Sequence, residues 1–217
     1  LIANIQHEET DFANTLHLTA NENRLSRTAE QFLSSPLSYR YLLGTLPMRG
    51  GQEVVDTGGF VYKGMPAVAQ LEAEATAAAL EMFGAQGVDF RPTSGMSASM
   101  ATALTFSDIG DNIYSIQYDF GGHFATKHFY ERMGRRQFDI PIDRDNYDLD
   151  YDEFARMNKQ TPADLVILEP GTPLFSLNLQ RIRDIVGPDC FFIYDGAHTL
   201  GLIAGGVFQD PFNEGVD

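Results

Sequence analysis

The run "FFIYDGAHTLGL", Phe191 to Leu202, carries an apolar stretch straight into a carboxylate, Asp195, with His198 three residues on. Burying a carboxylate alone is costly, so an acid at the end of a buried strand needs a partner. A protonated ring nitrogen of a cofactor would serve, because the acid would hold positive charge on the ring and keep it an electron sink. Taken alone, Asp195 serves equally well as a cap for the following helix. His198 would then address a phenolate or a substrate carboxylate near that ring, or be an ordinary surface or core histidine.

Two further groups fit the same chemistry. Ser94 and Gly95 open a helical pattern, and a hydroxyl with exposed N–H groups at a helix N-terminus suits a phosphate. The same pair read alone is a helix cap. His123 follows Gly121 and Gly122. Glycines let a backbone approach a ligand closely, and an imidazole there can stack on a planar ring. A partly exposed loop histidine fits that spacing too. Together, a phosphate nest, a stacking imidazole and an acid for a ring nitrogen describe a pocket for pyridoxal 5'-phosphate.

Other clusters carry less. His123 and His128 are five apart on a helical pattern, not the four that face a metal. "DRDNYDLDYDE" lacks the glycine and the spaced glutamate of a calcium loop and reads as a solvated acidic loop before a helix. The Gly-Gly turns give no dinucleotide fingerprint. No metal is expected.

Elements that alternate must position these groups. "PAVAQLEAEATAAALEMFGA" predicts a helix from Pro66, with Val68, Leu71, Ala75, Ala78 and Met82 on one side and a stop at Gly84. "VDFRP", "NIYSI", "RQFDIPI", "DLVILEP" and "CFFIYD" predict strands. Helices are predicted between them in "TSGMSASMATALTFS", "GGHFATKHFYERMG", "DLDYDEFARMNKQ" and "LQRIRDIVG". This order predicts an α/β fold with a mostly parallel sheet and helices on both faces. Ligands in such sheets gather outside the carboxyl ends of the strands. Ser94-Gly95, His123, Gly171-Thr172 and Asp195 to His198 should therefore face one crevice. Residues 1–64 read as an irregular, turn-rich arm with one short helix in "RTAEQFLSS", and residues 65–217 as the large domain.

The 217 residues are 43% hydrophobic and 21% charged, which are globular values. Thirty acids against 15 bases give a net charge of −15. That excludes nucleic acid and an anionic membrane surface as partners, though a few N–H groups can still hold a small anion. The single cysteine, Cys190, precludes an internal disulfide and reads as buried and inert. No apolar run reaches the ~20 residues that span a bilayer, and the N-terminal stretch lacks a signal-peptide layout, so a cytoplasmic protein is expected. Both ends read as cut from something longer.

From about Leu16 to Asp217 the sequence resembles the serine hydroxymethyltransferase branch of the fold-type-I pyridoxal phosphate enzymes. "LTANEN", "LEAEATAAALEMFGA", "PTSGMSASM", "GGHFATKH", "DLDYDEF" and "YDGAHTLGLIAGG" carry the resemblance in order and spacing. It implies the aspartate-aminotransferase-like large domain. It implies that Ser94, Gly95 and Met96 hold the phosphate, that His123 stacks on the pyridine and that Asp195 pairs with its nitrogen. His198 and Thr172 would lie near the ring oxygen. Asn21 and Tyr41 would help place the substrate, Tyr41 from a partner subunit in a homodimer or larger assembly with shared sites.

The departures fall on the substrate side. Asn21 stands where the family's motif has Ser, and Leu43 where it has the acid tied to hydroxymethyl and folate chemistry. The family's second histidine after "GGH" is replaced at Thr126 or Lys127, and Met96 follows Ser-Gly in place of Ser. The resemblance therefore implies an enzyme making or breaking the Cα–Cβ bond of a β-hydroxy amino acid, an aldolase or transaldolase more than a folate-dependent hydroxymethyltransferase. Aminotransferase, racemase and decarboxylase chemistry on the same scaffold are alternatives, as is a non-catalytic subunit that completes a partner's site. Lys63, Lys127 and Lys159 are the lysines present. None is expected to form the Schiff base, and the family's lysine is expected beyond Asp217.

Overall fold

The computed structural model describes residues 1–42, 48–49, 52–56 and 61–217, with the backbone alone at Asn21, Met48, Arg49, 52–56 and 61–63. Leu43 and the side chains of Asn21 and Lys63 thus lie outside the described residues. The chain divides into two compact units, Leu1–Ala79 and Leu80–Asp217. The border expected at 64/65 lies just before a helix, Pro66–Phe83, and the two units divide within that helix.

The first unit holds helices α1 (Ile2–Asn14) and α2 (Arg27–Leu33) and an antiparallel sheet of β1 (Met48–Arg49), β2 (Gln52–Asp56) and β3 (Val61–Lys63). α1 corrects the expectation of an irregular start. It buries no residue, so it left no apolar stripe to read. α2 is capped by Ser26, whose Oγ accepts from the Ala29 N–H at 3.2 Å.

α3 (Pro66–Phe83) takes the predicted place and ends one residue before Gly84, which has φ 62°. Its apolar side is not core: Leu71 and Met82 are 51% and 63% exposed. The periodicity located the helix but not what covers it.

The second unit is built on a parallel sheet of β4 (Asn112–Ile116), β5 (Arg136–Ile140), β8 (Leu165–Leu168) and β9 (Phe191–Tyr194), in the order β5-β4-β8-β9. β6 (Ile142–Asp143) and β7 (Asp148–Leu149) form a small antiparallel pair between β5 and α6 (Tyr151–Gln160). This pair takes the first residues expected in that helix. The helix itself begins after Asp150, whose carboxylate accepts from the Glu153 N–H at 2.9 Å. "VDFRP" forms no ladder among the described residues; a strand needs a partner for its backbone groups, and none pairs there.

Alternation along the strands sorts their side chains onto two faces. On one, Ile113, Leu165 and Ile167 pack with Ala103 of α4 (Gly95–Phe106) and Tyr130 of α5 (Thr126–Arg132). On the other, Tyr114, Ile116, Val166, Leu168 and Phe192 pack with Tyr151 and Phe154 of α6 and Leu179 and Ile182 of α7 (Leu179–Val186). Both faces are thus covered, as the near-continuous apolar runs of these strands require. A short helix, α8 (Leu200–Ala204), follows β9.

Cys190 is buried just before β9, and burial pushes its thiol up to about 11, in keeping with an inert residue. Phe154 is fully buried, with its ring centroid 5.3 Å from that of Tyr114. Phe154→Ala is expected to cost about 3–5 kcal/mol in denaturant unfolding of the full-length protein; a loss under about 1 kcal/mol would contradict this packing.

Candidate active site

The strand order reverses between β4 and β8. The chain leaves β4 toward α5 on one face, and leaves β8 toward α7 on the other. The loops after these two strands therefore part above the sheet, where open α/β sheets bind ligands. Here they are tied together: the Gly171 N–H donates to the Gly121 carbonyl at 2.7 Å. Gly121 has φ 85°, and a Cβ on it would lie 3.3 Å from the Thr172 hydroxyl. A Cβ on Gly122 would fall 2.0 Å from the Ile116 carbonyl oxygen, so no other residue fits without moving the strand end.

His123 follows directly and is half-buried. Its Nδ1 accepts from the Ala125 N–H at 3.3 Å, which assigns the proton of the neutral ring to Nε2. Phe124 lies against the ring, with centroids 4.9 Å apart and planes 27° apart. A cavity of about 330 Å³ opens beside it, lined in part by Ser115, Tyr118, Lys127 and His128. Lys127 is not a spare nucleophile, since its Nζ pairs with Asp139 at 3.0 Å. Lys159 is exposed in the last turn of α6.

α4 runs against the strand direction. Its C-terminal end meets the amino end of the sheet: the Ser107 hydroxyl accepts from Arg135 Nε at 3.0 Å, and Phe106 packs on Phe191 at 4.7 Å. Its N-terminus therefore points to the carboxyl edge, where it caps itself. The Ser94 Oγ accepts from the Ser97 N–H at 3.1 Å, and the Ser97 Oγ accepts from the Ser94 N–H at 2.9 Å. The first intrahelical bond runs from the Ala98 N–H to the Ser94 carbonyl, so the N–H groups of Gly95 and Met96 precede it and are left to an outside acceptor. No Cβ contact would arise within 4 Å of Gly95, which leaves room for one. The capping and anion-holding roles of Ser94 are thus compatible.

Asp195 sits one residue past β9. Its N–H continues the ladder by donating to the Leu168 carbonyl at 2.7 Å. Its Oδ1 accepts from the Ala197 N–H at 2.8 Å, which fixes the carboxylate; among the described residues its Oδ2 accepts no hydrogen bond. The acid is half-buried and caps no helix with its side chain; the cap residue of α8 is Thr199. His198 and Thr172 are exposed on this edge. Tyr41 belongs to the other unit and is 73% exposed.

One residue of the edge was missed in the sequence. Glu169 ends β8 as Asp195 ends β9, and the register Leu168↔Tyr194 makes the two acids neighbours across the ladder. Alternation places both on the face of Ile167 and Ile193, the α4–α5 side. Glu169 is 4% exposed. Its Oε2 lies 2.6 Å from the Thr126 hydroxyl and its Oε1 accepts from the Tyr130 hydroxyl at 3.2 Å. Burial pushes its carboxyl up to about 7; the charge of Asp195 adds to the rise, while the Thr126, Tyr130 and Ser99 hydroxyls oppose it. Burial also raises Tyr130, with Glu169 and Asp195 adding to it. The signal was an acid closing an apolar run, "LVILE", the same signal that drew attention to Asp195. Thr126, one of the two positions where the family's second histidine is expected, is buried against this acid.

Elsewhere, a second cavity of about 500 Å³ borders Gly121 and Thr172 but is lined mainly by Phe120, Arg144, Tyr147, Leu174 and Phe175, not by Ser94, His123 or Asp195. Among the described residues no group of three His, Cys, Asp or Glu side chains could hold a metal ion, and no helix is long and apolar enough to cross a membrane.

Comparison with known proteins gives this edge a context. A family model described as serine hydroxymethyltransferase matches residues 1–215. The chain is 36% identical over 213 residues to a fluorothreonine transaldolase of Streptantibioticus cattleyicolor, covering 98% of this chain and 33% of that protein. It is 31% identical over 211 residues to a serine hydroxymethyltransferase of Methanocella arvoryzae, covering 95% of this chain and 47% of that one. The crystal structure of an L-threonine transaldolase from Pseudomonas fluorescens, in its internal aldimine state, superimposes with a TM-score of 0.86 at 26% identity over all of this chain and 48% of that one. The chain thus spans about half or less of the length of these relatives.

Glu169 makes stability depend on pH. Below its ordinary value of 4.5 the carboxyl is protonated in both folded and unfolded chains. As pH rises from there to about 7, the unfolded chain releases the proton and the folded one keeps it, so stability falls. Wild type should lose roughly 3 kcal/mol relative to Glu169→Gln across that window. Parallel stability curves for the two proteins would contradict a buried, protonated Glu169.

Proposed function

The chain belongs to the serine hydroxymethyltransferase family, and from that premise we propose that it forms the cofactor-binding part of a pyridoxal 5'-phosphate enzyme acting on the Cα–Cβ bond of a β-hydroxy amino acid, as a transaldolase or aldolase. The observation that carries this is Asp195, a fixed carboxylate with one free oxygen at the carboxyl edge that also receives the α4 N-terminus and the His123 loop.

The residues fit the group. The Ser94 hydroxyl and the Gly95 and Met96 N–H groups would hold the phosphate at the positive end of the α4 dipole. Asp195 Oδ2 would accept from the protonated ring nitrogen, with Oδ1 kept in place by Ala197. One face of the His123 imidazole lies against Phe124, which leaves the other to stack on the ring. Thr172 and His198 would reach the ring-oxygen side. When bound, the cofactor supplies an electron sink for a carbanion at Cα. What this chain contributes is the proton held at the ring nitrogen and the orientation of the ring above the sheet edge.

Transaldolase chemistry is favoured over folate-dependent transfer by the higher identity to the fluorothreonine transaldolase and by Leu43 in place of the family's acid. Asn21 and Tyr41 would place the substrate, Tyr41 from a second copy; its exposed ring and the exposed apolar side of α3 support a homodimer or larger assembly. A cytoplasmic location accords with this family assignment.

The test uses the full-length protein, a β-hydroxy amino acid and a second aldehyde, without folate. Formation of the exchanged β-hydroxy amino acid is expected. A keto acid, a D-enantiomer or carbon dioxide would replace this reading by transamination, racemisation or decarboxylation. Asp195→Ala should lower turnover by about 10²–10³-fold while cofactor is partly retained through the phosphate anchors. Unchanged turnover would remove Asp195 from the reaction.

A further inference from the structure

Glu169 has no part in the function just proposed, yet it is better buried than any residue that does. Three elements converge on it. Thr126 and Tyr130 come from α5, Ser99 from α4, and Asp195 is its neighbour across the β8–β9 ladder. Asp195 and Tyr130 are the titratable groups that face it; Thr126 and Ser99 are neutral hydroxyls. Adjacent strands of a sheet lie about 5 Å apart, and like charges in neighbouring register positions repel. Among the described residues no cation acts on Glu169 to offset a second charge. Geometry alone therefore favours one proton on this pair of acids, and the more buried member is the one to hold it.

We propose that Glu169 is a positioning residue of the cofactor site: a buried, proton-bearing carboxyl that fastens α5 and the His123 loop to the sheet edge and leaves the negative charge there to Asp195. This rests on the cofactor assignment above and deepens it. With the proton on Oε2, Glu169 donates to the Thr126 hydroxyl 2.6 Å away, and the Thr126 hydroxyl is free to point at the His123 carbonyl, at 3.5 Å. Without the proton, Thr126 must donate to the carboxylate and turns from His123. The protonation state is thus passed to the loop that carries the stacking ring. Cofactor binding and protonation of Glu169 are then linked, each strengthening the other.

The test measures pyridoxal 5'-phosphate affinity of the full-length protein, by equilibrium dialysis across the neutral pH range, for wild type, Glu169→Gln and Glu169→Ala. Wild-type affinity should fall with rising pH above a break near 7, relative to Glu169→Gln, approaching tenfold per pH unit as the loss of one bound proton requires. Glu169→Gln, neutral at every pH and able to bond Thr126 and Tyr130, should match wild type on the acid side and lack that fall. Glu169→Ala should bind more weakly throughout. If wild type takes up cofactor and Glu169→Gln follows its pH profile, this role is overturned and the cofactor assignment stands. If wild type takes up none, both are overturned.

Discussion

The structure depends on one constraint: two neighbouring parallel strands, β8 and β9, each end an apolar run on a carboxylate, and their register sets the two acids side by side on one face. Each acid needs a partner because neither can be buried as a bare charge. Asp195 keeps one oxygen on the Ala197 N–H. Glu169 turns inward to hydroxyls from α5. The same strand geometry thus produces a half-buried acid held by its own loop and a buried acid held by α5. One is suited to holding a proton on a ring nitrogen, the other to holding a proton of its own.

The rest of the second unit serves that edge. Helices pack on both sheet faces, and the two central strands, β4 and β8, are buried along their whole length. The strand order reverses between β4 and β8, and the Gly171 N–H ties the two following loops together at the Gly121 carbonyl. Gly122 is required because the backbone passes so close to Ile116 that a Cβ has no place. α4 runs against the strands, which delivers its unpaired N–H groups to the edge where an anion would sit. These are local packing requirements, and together they shape the carboxyl edge of the sheet.

Much of this was legible in the sequence, and the limits have physical causes. "NIYSI" was read with its true ends because a run buried on both faces is apolar throughout and bounded by turn residues. The His123 and Asp195 loops do follow strand ends, as the alternation of elements predicts, whereas Ser94 follows a segment that pairs with no strand among the described residues. "VDFRP" was read as a strand from composition, but a strand exists only with a partner. α1 was missed because it buries nothing, and periodicity reports burial. The apolar side of α3 was legible as a pattern but not as core, since what covers a face is not written in that face. Glu169 was in plain sight at the end of "DLVILEP"; its meaning came only from register, which a single strand's sequence does not contain.

In the proposed function Asp195 keeps a bound cofactor's ring nitrogen protonated. The most direct measurement is the ¹⁵N NMR signal of ring-labelled pyridoxal 5'-phosphate bound to the full-length protein. A protonated nitrogen in wild type that becomes unprotonated in Asp195→Ala is the expected result. An unprotonated nitrogen in wild type, or one indifferent to the loss of Asp195, would contradict it.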